Sequence, residues 1–342
     1  MGQEIMCRND TGEMTAMFFA KWRNEINDLF ETRGVRLVFK ILLLPIFILI
    51  KLFSFVSRKK LLLDHLEIVV GSQCTLHCRK CANLMQYYRH PTVFDAGRIE
   101  EDVHKLLALD IQIDRVNVIG GEPFLYKELP RLIALLQNSA KVRTIRIITN
   151  GTFLPPNPIL EALKSSKVHV FISNYIGIGV KTNEVYQFLK NAGVNVFIST
   201  VTWFNYHHQF SGYHRSADEL KRIYRNCHMA CHELLNGEIH LCPTSAHGMY
   251  LGLIPRDENS FVSIRHNGSK KEKRETVRKL RHLLTQQVPN ACDFCSGDHG
   301  EIIPVAEQLP PGTYLDAAGA VCGKASGCSD NVETGENERK GA

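Results

Sequence analysis

No signal peptide with a cleavage site is expected ahead of the cysteines. Aromatic residues are sparse, at 8%, and the net charge is only +6. No basic patch is interleaved with aromatics, and no nucleic-acid partner is expected. The one strongly basic run, SKKEKRETVRKLRH at 269–282, carries Glu272 and Glu275 among its cations and reads as a solvated helix face. Cysteine is the exception to this sparseness. Eleven occur, at 7, 74, 78, 81, 227, 231, 242, 292, 295, 322 and 328. A secreted disulfide scaffold would be far shorter than 342 residues. Clustered cysteines in a chain of this length point to metal binding in a reducing compartment, and the cytoplasm is the expected location.

Cys74, Cys78 and Cys81 sit in CTLHCRKC, directly after the apolar stretch LEIVV at 66–70. Three thiolates spaced CxxxCxxC on one tight loop can ligate three irons of a [4Fe-4S] cube, and thiolates are soft ligands suited to it. No fourth cysteine lies nearby, so the fourth iron stays open. Zinc is the alternative, but a closed structural zinc site wants four ligands. His77 lies between two of the cysteines, where geometry for a fourth ligand is poor.

The segment RVNVIGGEPFLY at 115–126 reads as a strand breaking into Gly120, Gly121, Glu122 and Pro123. Two glycines let the backbone approach a ligand closely. GGEP alone is a turn signal. Placed after CxxxCxxC, it resembles the GGEP motif of the radical S-adenosylmethionine (SAM) enzymes, a resemblance running from about Leu66 to Cys295. The resemblance implies a [4Fe-4S] cluster whose open iron is chelated by SAM, with the GGEP turn holding the methionine amino group. It also implies cleavage of SAM to a 5′-deoxyadenosyl radical that abstracts hydrogen from the substrate, and an external electron donor such as flavodoxin or ferredoxin. Lys80 stands where many members carry an aromatic residue near the adenine. That contact is then expected from elsewhere.

From Leu66 apolar strands alternate with amphipathic segments. The strand candidates are 66–70, 115–119, 142–148, 168–173 and 194–199, with helices near 97–109, 127–139, 157–165 and 182–192. Each strand followed by a helix argues for parallel βα units. The expected fold is α/β, a partial (β/α)6 radical SAM barrel over 66–215. Functional residues belong at the C-terminal ends of its strands. By the resemblance, Ser173 and Asn174, ending the fourth strand, contact the SAM ribose. Asn150-Gly151 reads first as a turn former.

A second cysteine set follows. CHMACHELLNGEIHLCP at 227–243 places Cys227, Cys231 and Cys242 around a hairpin turning at Asn236-Gly237. Cys292 and Cys295 form a later CxxC. A ribbon-like zinc site is the structural alternative. The pattern resembles the twitch domain, the short SPASM-like extension that binds an auxiliary cluster, here over 216–311. Matching its Cys–Gly–Cys spacing selects Cys227, Cys242, Cys292 and Cys295 as ligands, with Cys231 the rival to Cys227. No further cysteine follows closely, so one auxiliary [4Fe-4S] cluster is expected. Four thiolates close its coordination, which suits an electron conduit. Oxidation of a substrate radical also needs a base, for which Tyr213, His214, Arg215, His228, His232 and His247 are candidates.

The ends of the chain differ from the middle. Residues 1–65 form an extension, with a helix expected from about Thr15 to Thr32 and an apolar run, VFKILLLPIFILIKLFSFV, at 38–56. Nineteen residues can just span a bilayer. Lys40 and Lys51 would snorkel and Pro45 would kink the helix. An interfacial helix or packing on the catalytic domain are the alternatives. If the run spans, Arg58, Lys59 and Lys60 place the following domain on the cytoplasmic side. Residues 312–342 read as a disordered tail, with Cys322 and Cys328 expected as free thiols.

The leading functional expectation is oxidation of a small molecule or glycan, such as a sugar, amino sugar or cyclitol. A maturase of a ribosomally made peptide ranks lower, because residues 1–65 are poor in the strand signals of a peptide-binding winged helix. A non-enzymatic iron–sulfur or zinc scaffold is the third option, against which the intact GGEP argues.

Overall fold

The computed structural model describes residues 60–175, 181–200, 202–227, 229, 231–297 and 301–323. The apolar run at 38–56, the expected helix at 15–32, His228 and Cys328 lie outside them. Among the described residues no helix is long and apolar enough to cross a membrane.

From Leu62 the chain clusters as one compact unit. Its core is an eight-stranded sheet. Strands β1 (Leu61–Val69), β2 (Ile111–Ile119), β3 (Val142–Thr149), β4 (Val168–Asn174) and β5 (Val196–Thr200) lie side by side in chain order. The printed pairings from β2 to β5 are parallel. The strands are linked through helices α1 (Ala96–Leu107), α2 (Leu129–Gln137), α3 (Asn157–Leu163) and α4 (Thr182–Asn191). These are the βα units expected from the sequence. Asp95 starts α1 by accepting the Arg98 N–H at 2.8 Å, an N-cap that the DAGR sequence provides.

Strand residues alternate between two faces. Leu66, Ile68, Val116, Val118, Ile145, Ile147, Val168 and Val170 are buried on the face that the helices cover. The other, inner face carries Glu67, Asn117, Arg146 and His169, brought side by side by the register Asn117↔Arg146 and Arg146↔His169.

Strand β6 (Trp203–Phe204) does not extend this sheet but pairs with β10 (Ile302–Ile303). The sixth parallel strand is instead the first arm of the expected hairpin. After α5 (Ala217–Asn226), β7 (Glu233–Leu235) joins the outer edge of β1 with Glu67 opposite Glu233. Strands β8 (Glu238–His240) and β9 (Phe261–Ser263) follow antiparallel. Asn236 and Gly237 both have positive φ, 50° and 76°, as the two-residue hairpin loop between Leu235 and Glu238 requires. Helix α6 (Pro243–Tyr250) returns across the inner face, packing Ala246 against Val69, Ile119 and Leu235. Helix α7 (Lys270–Gln286) is the charged helix read from the sequence.

The stretch read as the start of a disordered tail contains a small hairpin. Strands β11 (Tyr314–Leu315) and β12 (Val321–Cys322) pair antiparallel. Cys322 is buried and disulfide-bonded, not a free thiol. Burying Leu315 and Cys322 gives this Gly-rich segment an apolar side that its composition concealed.

Candidate functional site

The C-terminal ends of β1, β2, β3 and β4 meet where the sequence placed its motifs. Cys74, Cys78 and Cys81 are thiols on the loop after β1. Cys74 and Cys78 are pushed up to about 12 by burial and by neighbouring thiols, and burial also raises Cys81. Bare, these groups stay protonated. Only a strong positive charge such as a metal makes thiolates favourable there. Among the described residues no group of three His, Cys, Asp or Glu converges as the ligands of a single metal ion. The donor set is three soft thiols on one loop, and it fits three corners of an iron–sulfur cube.

The GGEP turn grips this loop directly. Gly121 N–H donates to the Gly71 carbonyl at 3.0 Å, and Glu122 N–H to the Gln73 carbonyl at 2.8 Å. A Cβ on Gly120 would lie 2.7 Å from the Gly71 carbonyl oxygen, and one on Gly121 would run into the Gln73 carbonyl. The two glycines therefore admit the neighbouring chain turn, where the sequence suggested only close approach to a ligand. Replacing Gly121 with Ala should cost roughly 3 kcal/mol or more, because both partners are backbone and cannot yield. Thermal melting of the variant checks this, and an unshifted melt would contradict the tight packing.

Glu122 is 2% exposed. Its carboxylate accepts from Phe124 N–H at 3.1 Å, the Thr149 hydroxyl at 2.8 Å and Asn150 N–H at 2.9 Å. Burial pushes the carboxyl up to about 7, against the lowering effect of those donors. Pro123 begins the short 3₁₀ turn Pro123–Leu125. Asn150 matters beyond turn formation. Its Nδ2 donates to Thr75 Oγ1 at 2.9 Å and reaches Cys74 Sγ at 3.4 Å. Ser173 and Asn174 end β4, with Ser173 7% exposed. The neighbouring Tyr175 hydroxyl bonds to Ser173 and lies within electrostatic reach of all three thiols.

A clamp on the cysteine loop comes from the far end of the chain. Arg79 N–H donates to the Glu307 carbonyl and Leu309 N–H to the His77 carbonyl, both at 2.7 Å. Gln308 fixes the loop twice, accepting from His77 N–H at 2.7 Å and donating to Cys78 Sγ at 3.3 Å. Nothing in the sequence marks this pairing.

The second thiol set is also gathered. Cys227 caps the C-terminus of α5, and Cys242 stands at the N-cap of α6, where its Sγ accepts from Ser245 N–H at 3.4 Å. Cys292 lies within the 3₁₀ turn Asn290–Asp293, and Cys295 follows its C-cap, Phe294. Arg215 Nη1 donates to both their carbonyls, at 2.8 and 2.9 Å, and Asp293 accepts from Arg215 N–H at 2.8 Å. Arg215, named from the sequence as a base, is thus engaged in holding the CxxC turn. All four thiols line one cavity of about 30 Å³, larger than the roughly 10–15 Å³ that a single water needs. Burial and the neighbouring thiols push Cys242 and Cys292 far up. Cys231 is disulfide-bonded and so has no thiol to offer, whereas Cys227 does. The same cavity is lined by Ala82, the residue after Cys81, and by Tyr206.

Of the other base candidates, Tyr213 donates to the His207 carbonyl and stacks under Arg215. His214 offers its backbone N–H to Asp293. His232 stacks on His65, and burial lowers it to about 4. His247 is buried on the inner face with Nδ1 2.8 Å from the Tyr88 hydroxyl.

Among known proteins, the chain is 33% identical over 96 residues to the GTP 3′,8-cyclase of Clostridium acetobutylicum, covering 27% of this chain and 29% of that protein. It is 26% identical over 88 residues to a probable GTP 3′,8-cyclase of Methanococcus maripaludis, covering 26% and 29%. The chain thus spans less than a third of the length of these curated relatives. Among solved structures, BtrN in complex with AdoMet and 2-DOIA is similar at TM-score 0.47 and 18% identity, over 72% of this chain and 96% of that one. Streptococcus suis SuiB bound to S-adenosylmethionine is similar at TM-score 0.34 and 20% identity, over 40% and 33%. Neither likeness bears on the substrate. The model of the Radical SAM superfamily matches residues 68–244, just over half of the chain, and takes in the end of β1, the first cysteine set, the GGEP turn and β2 to β8. The chain belongs to the radical SAM superfamily.

Proposed function

We propose that this chain is a SAM-dependent oxidoreductase of a small polar molecule, with two iron–sulfur sites. The observation that carries the reading is that seven thiols fall into two gathered sets, one of three and one of four. In this reading Cys74, Cys78 and Cys81 hold a [4Fe-4S] cluster with one coordination position left for SAM. Cys227, Cys242, Cys292 and Cys295 hold a closed auxiliary [4Fe-4S] cluster in a twitch domain over 216–311. When bound, these groups supply a 5′-deoxyadenosyl radical that takes a hydrogen atom from the substrate and an acceptor for the electron left behind.

The chain's own residues do the positioning. The backbone of Gly120, Gly121, Glu122 and Pro123 would hold the methionine end of SAM beside the cysteine loop that the turn grips. Glu122 fixes that turn to the end of β3 through Thr149 and Asn150. Ser173 and Asn174, which end β4, would hold the ribose. Gln308 and Asn150 donate toward Cys78 and Cys74, which stabilises thiolate charge on two of the three sulfurs. Ala82 links the first site to the wall of the second, a short covalent route from Cys81 to the four-thiol cavity. A flavodoxin or ferredoxin is the proposed electron source.

Anaerobic reconstitution with iron and sulfide, followed by an assay for 5′-deoxyadenosine from SAM and dithionite, tests the reading. Formation of 5′-deoxyadenosine is expected. Its absence from protein carrying a full complement of iron would leave a scaffold and no enzyme.

A further inference from the structure

Each thiol of the first set has a hydrogen-bond donor, and the donors differ in origin. Cys74 Sγ accepts from Leu76 N–H and Asn150 Nδ2, both at 3.4 Å. Cys81 is approached by the backbone N–H groups of Met85 and Asn83. These donors come from the cysteine loop and its continuation, or from the adjoining end of β3. Cys78 is served differently. Among the described residues its one donor is Gln308 Nε2, at 3.3 Å and 230 positions away. Gln308 also lies outside residues 68–244, the part that matches the superfamily.

The Gln308 amide can point only one way. Oε1 accepts His77 N–H at 2.7 Å, and Nε2 donates to the Ala306 carbonyl at 2.6 Å, which leaves its second hydrogen for Cys78. Turned over, the amide would set its NH₂ against the His77 N–H and its oxygen against a carbonyl. Ala306 is fully buried at φ 50°, a left-handed conformation uncommon for a residue with a Cβ. The attachment of this segment does not depend on the sulfur contact. Cys78 and Gln308 form a β-bridge, and the backbone bonds from Arg79 N–H to Glu307 and from Leu309 N–H to His77 flank it at 2.7 Å. Gln308 itself is exposed, so its side chain fills no core. What Nε2 adds is a donor fixed on one sulfur.

We infer that Gln308 tunes the first site, acting through Cys78 to raise the reduction potential of the cluster proposed on Cys74, Cys78 and Cys81. This rests on the proposed reading of those thiols as cluster ligands. A reduced cluster carries one more negative charge than an oxidised one, and its sulfurs share that charge. A donor held on a thiolate sulfur therefore favours the reduced form. The segment 306–309 then lets a weaker reductant supply the one electron that SAM cleavage takes. The device belongs to this chain's C-terminal segment and not to the matched part of the superfamily.

Anaerobic redox titration of the reconstituted full chain, followed by EPR, reads the effect. The signal that changes on adding SAM is that of the first cluster, which separates it from an auxiliary one. Gln308→Leu removes the donor and keeps enough bulk that water does not take its place. Its midpoint should fall by about 59 mV, a tenfold loss in a one-electron equilibrium, with full iron retained. 5′-Deoxyadenosine formation by this variant should be unchanged with titanium(III) citrate and slowed about tenfold with reduced flavodoxin. Glu307→Ala removes the 3.2 Å ion pair to Arg79 and leaves the backbone bridge, so it should not lower the midpoint. An unchanged midpoint in Gln308→Leu, or loss of its iron, would overturn the inference. So would an equal fall in Glu307→Ala, because the rigidity of the clamp, and not the donor, would then set the potential. A wild type with no SAM-responsive signal would overturn the cluster and this inference together, whereas the other three results overturn this inference alone.

Discussion

Replacing Cys74, Cys78 and Cys81 together with Ala should abolish 5′-deoxyadenosine formation and remove about four irons per chain. The size of the effect follows from geometry. All three thiols are on one loop, held by the GGEP turn on one side and by Glu307–Leu309 on the other. No other cysteine thiol was found in that loop to substitute for them. The Glu122 carboxylate and the Gln308 amide keep their backbone donors in the variant, so the protein should fold. Iron analysis beside the cleavage assay reads the result. Full iron with normal cleavage would remove the assignment.

The second large effect is expected at the auxiliary set. A Cys292→Ala, Cys295→Ala variant keeps the first site and loses half of the second. Iron should fall from about eight to about four per chain. 5′-Deoxyadenosine should still form, while oxidised product is lost because the substrate radical has no electron acceptor. The single variants separate the rival ligands. Cys227→Ala should lose the same iron, and Cys231→Ala should not, because Cys231 is disulfide-bonded. Product formation undiminished in the double variant would show that electrons leave by another route.

Much of this arrangement was legible in the sequence, because local rules decide it. LEIVV, RVNVI and VHVFIS are short apolar runs bounded by turns, and each became a parallel strand. Asn236-Gly237 could only be a hairpin turn, and both residues have positive φ. The cysteine spacings separate two sets, and Cys227, Cys242, Cys292 and Cys295 line one cavity. What stayed hidden depends on contacts distant in the chain. Gln308 meets Cys78 from 230 positions away, and no periodicity announces such a pairing. Gly120 and Gly121 were read as room for a ligand, but the space is taken by Gly71 and Gln73 on another turn. Glu67 in LEIVV and Glu233 in HELL look like ordinary polar positions of half-buried strands. Only the register that sets them side by side, with α6 packed across, shows a pair of buried carboxyls. The sequence also could not distinguish Cys231 from Cys227 on chemistry, and spacing to Gly237 alone favoured the residue that remains a thiol.

The central claim is that seven thiols hold two four-iron clusters. Its most direct measurement is iron, sulfide and zinc analysis of the anaerobically purified wild-type chain, with Mössbauer spectroscopy of the iron. About eight irons and eight sulfides per chain, all in [4Fe-4S] form and without stoichiometric zinc, is the predicted result. About four irons together with one zinc would contradict it, and would make the Cys227, Cys242, Cys292 and Cys295 set a structural zinc site.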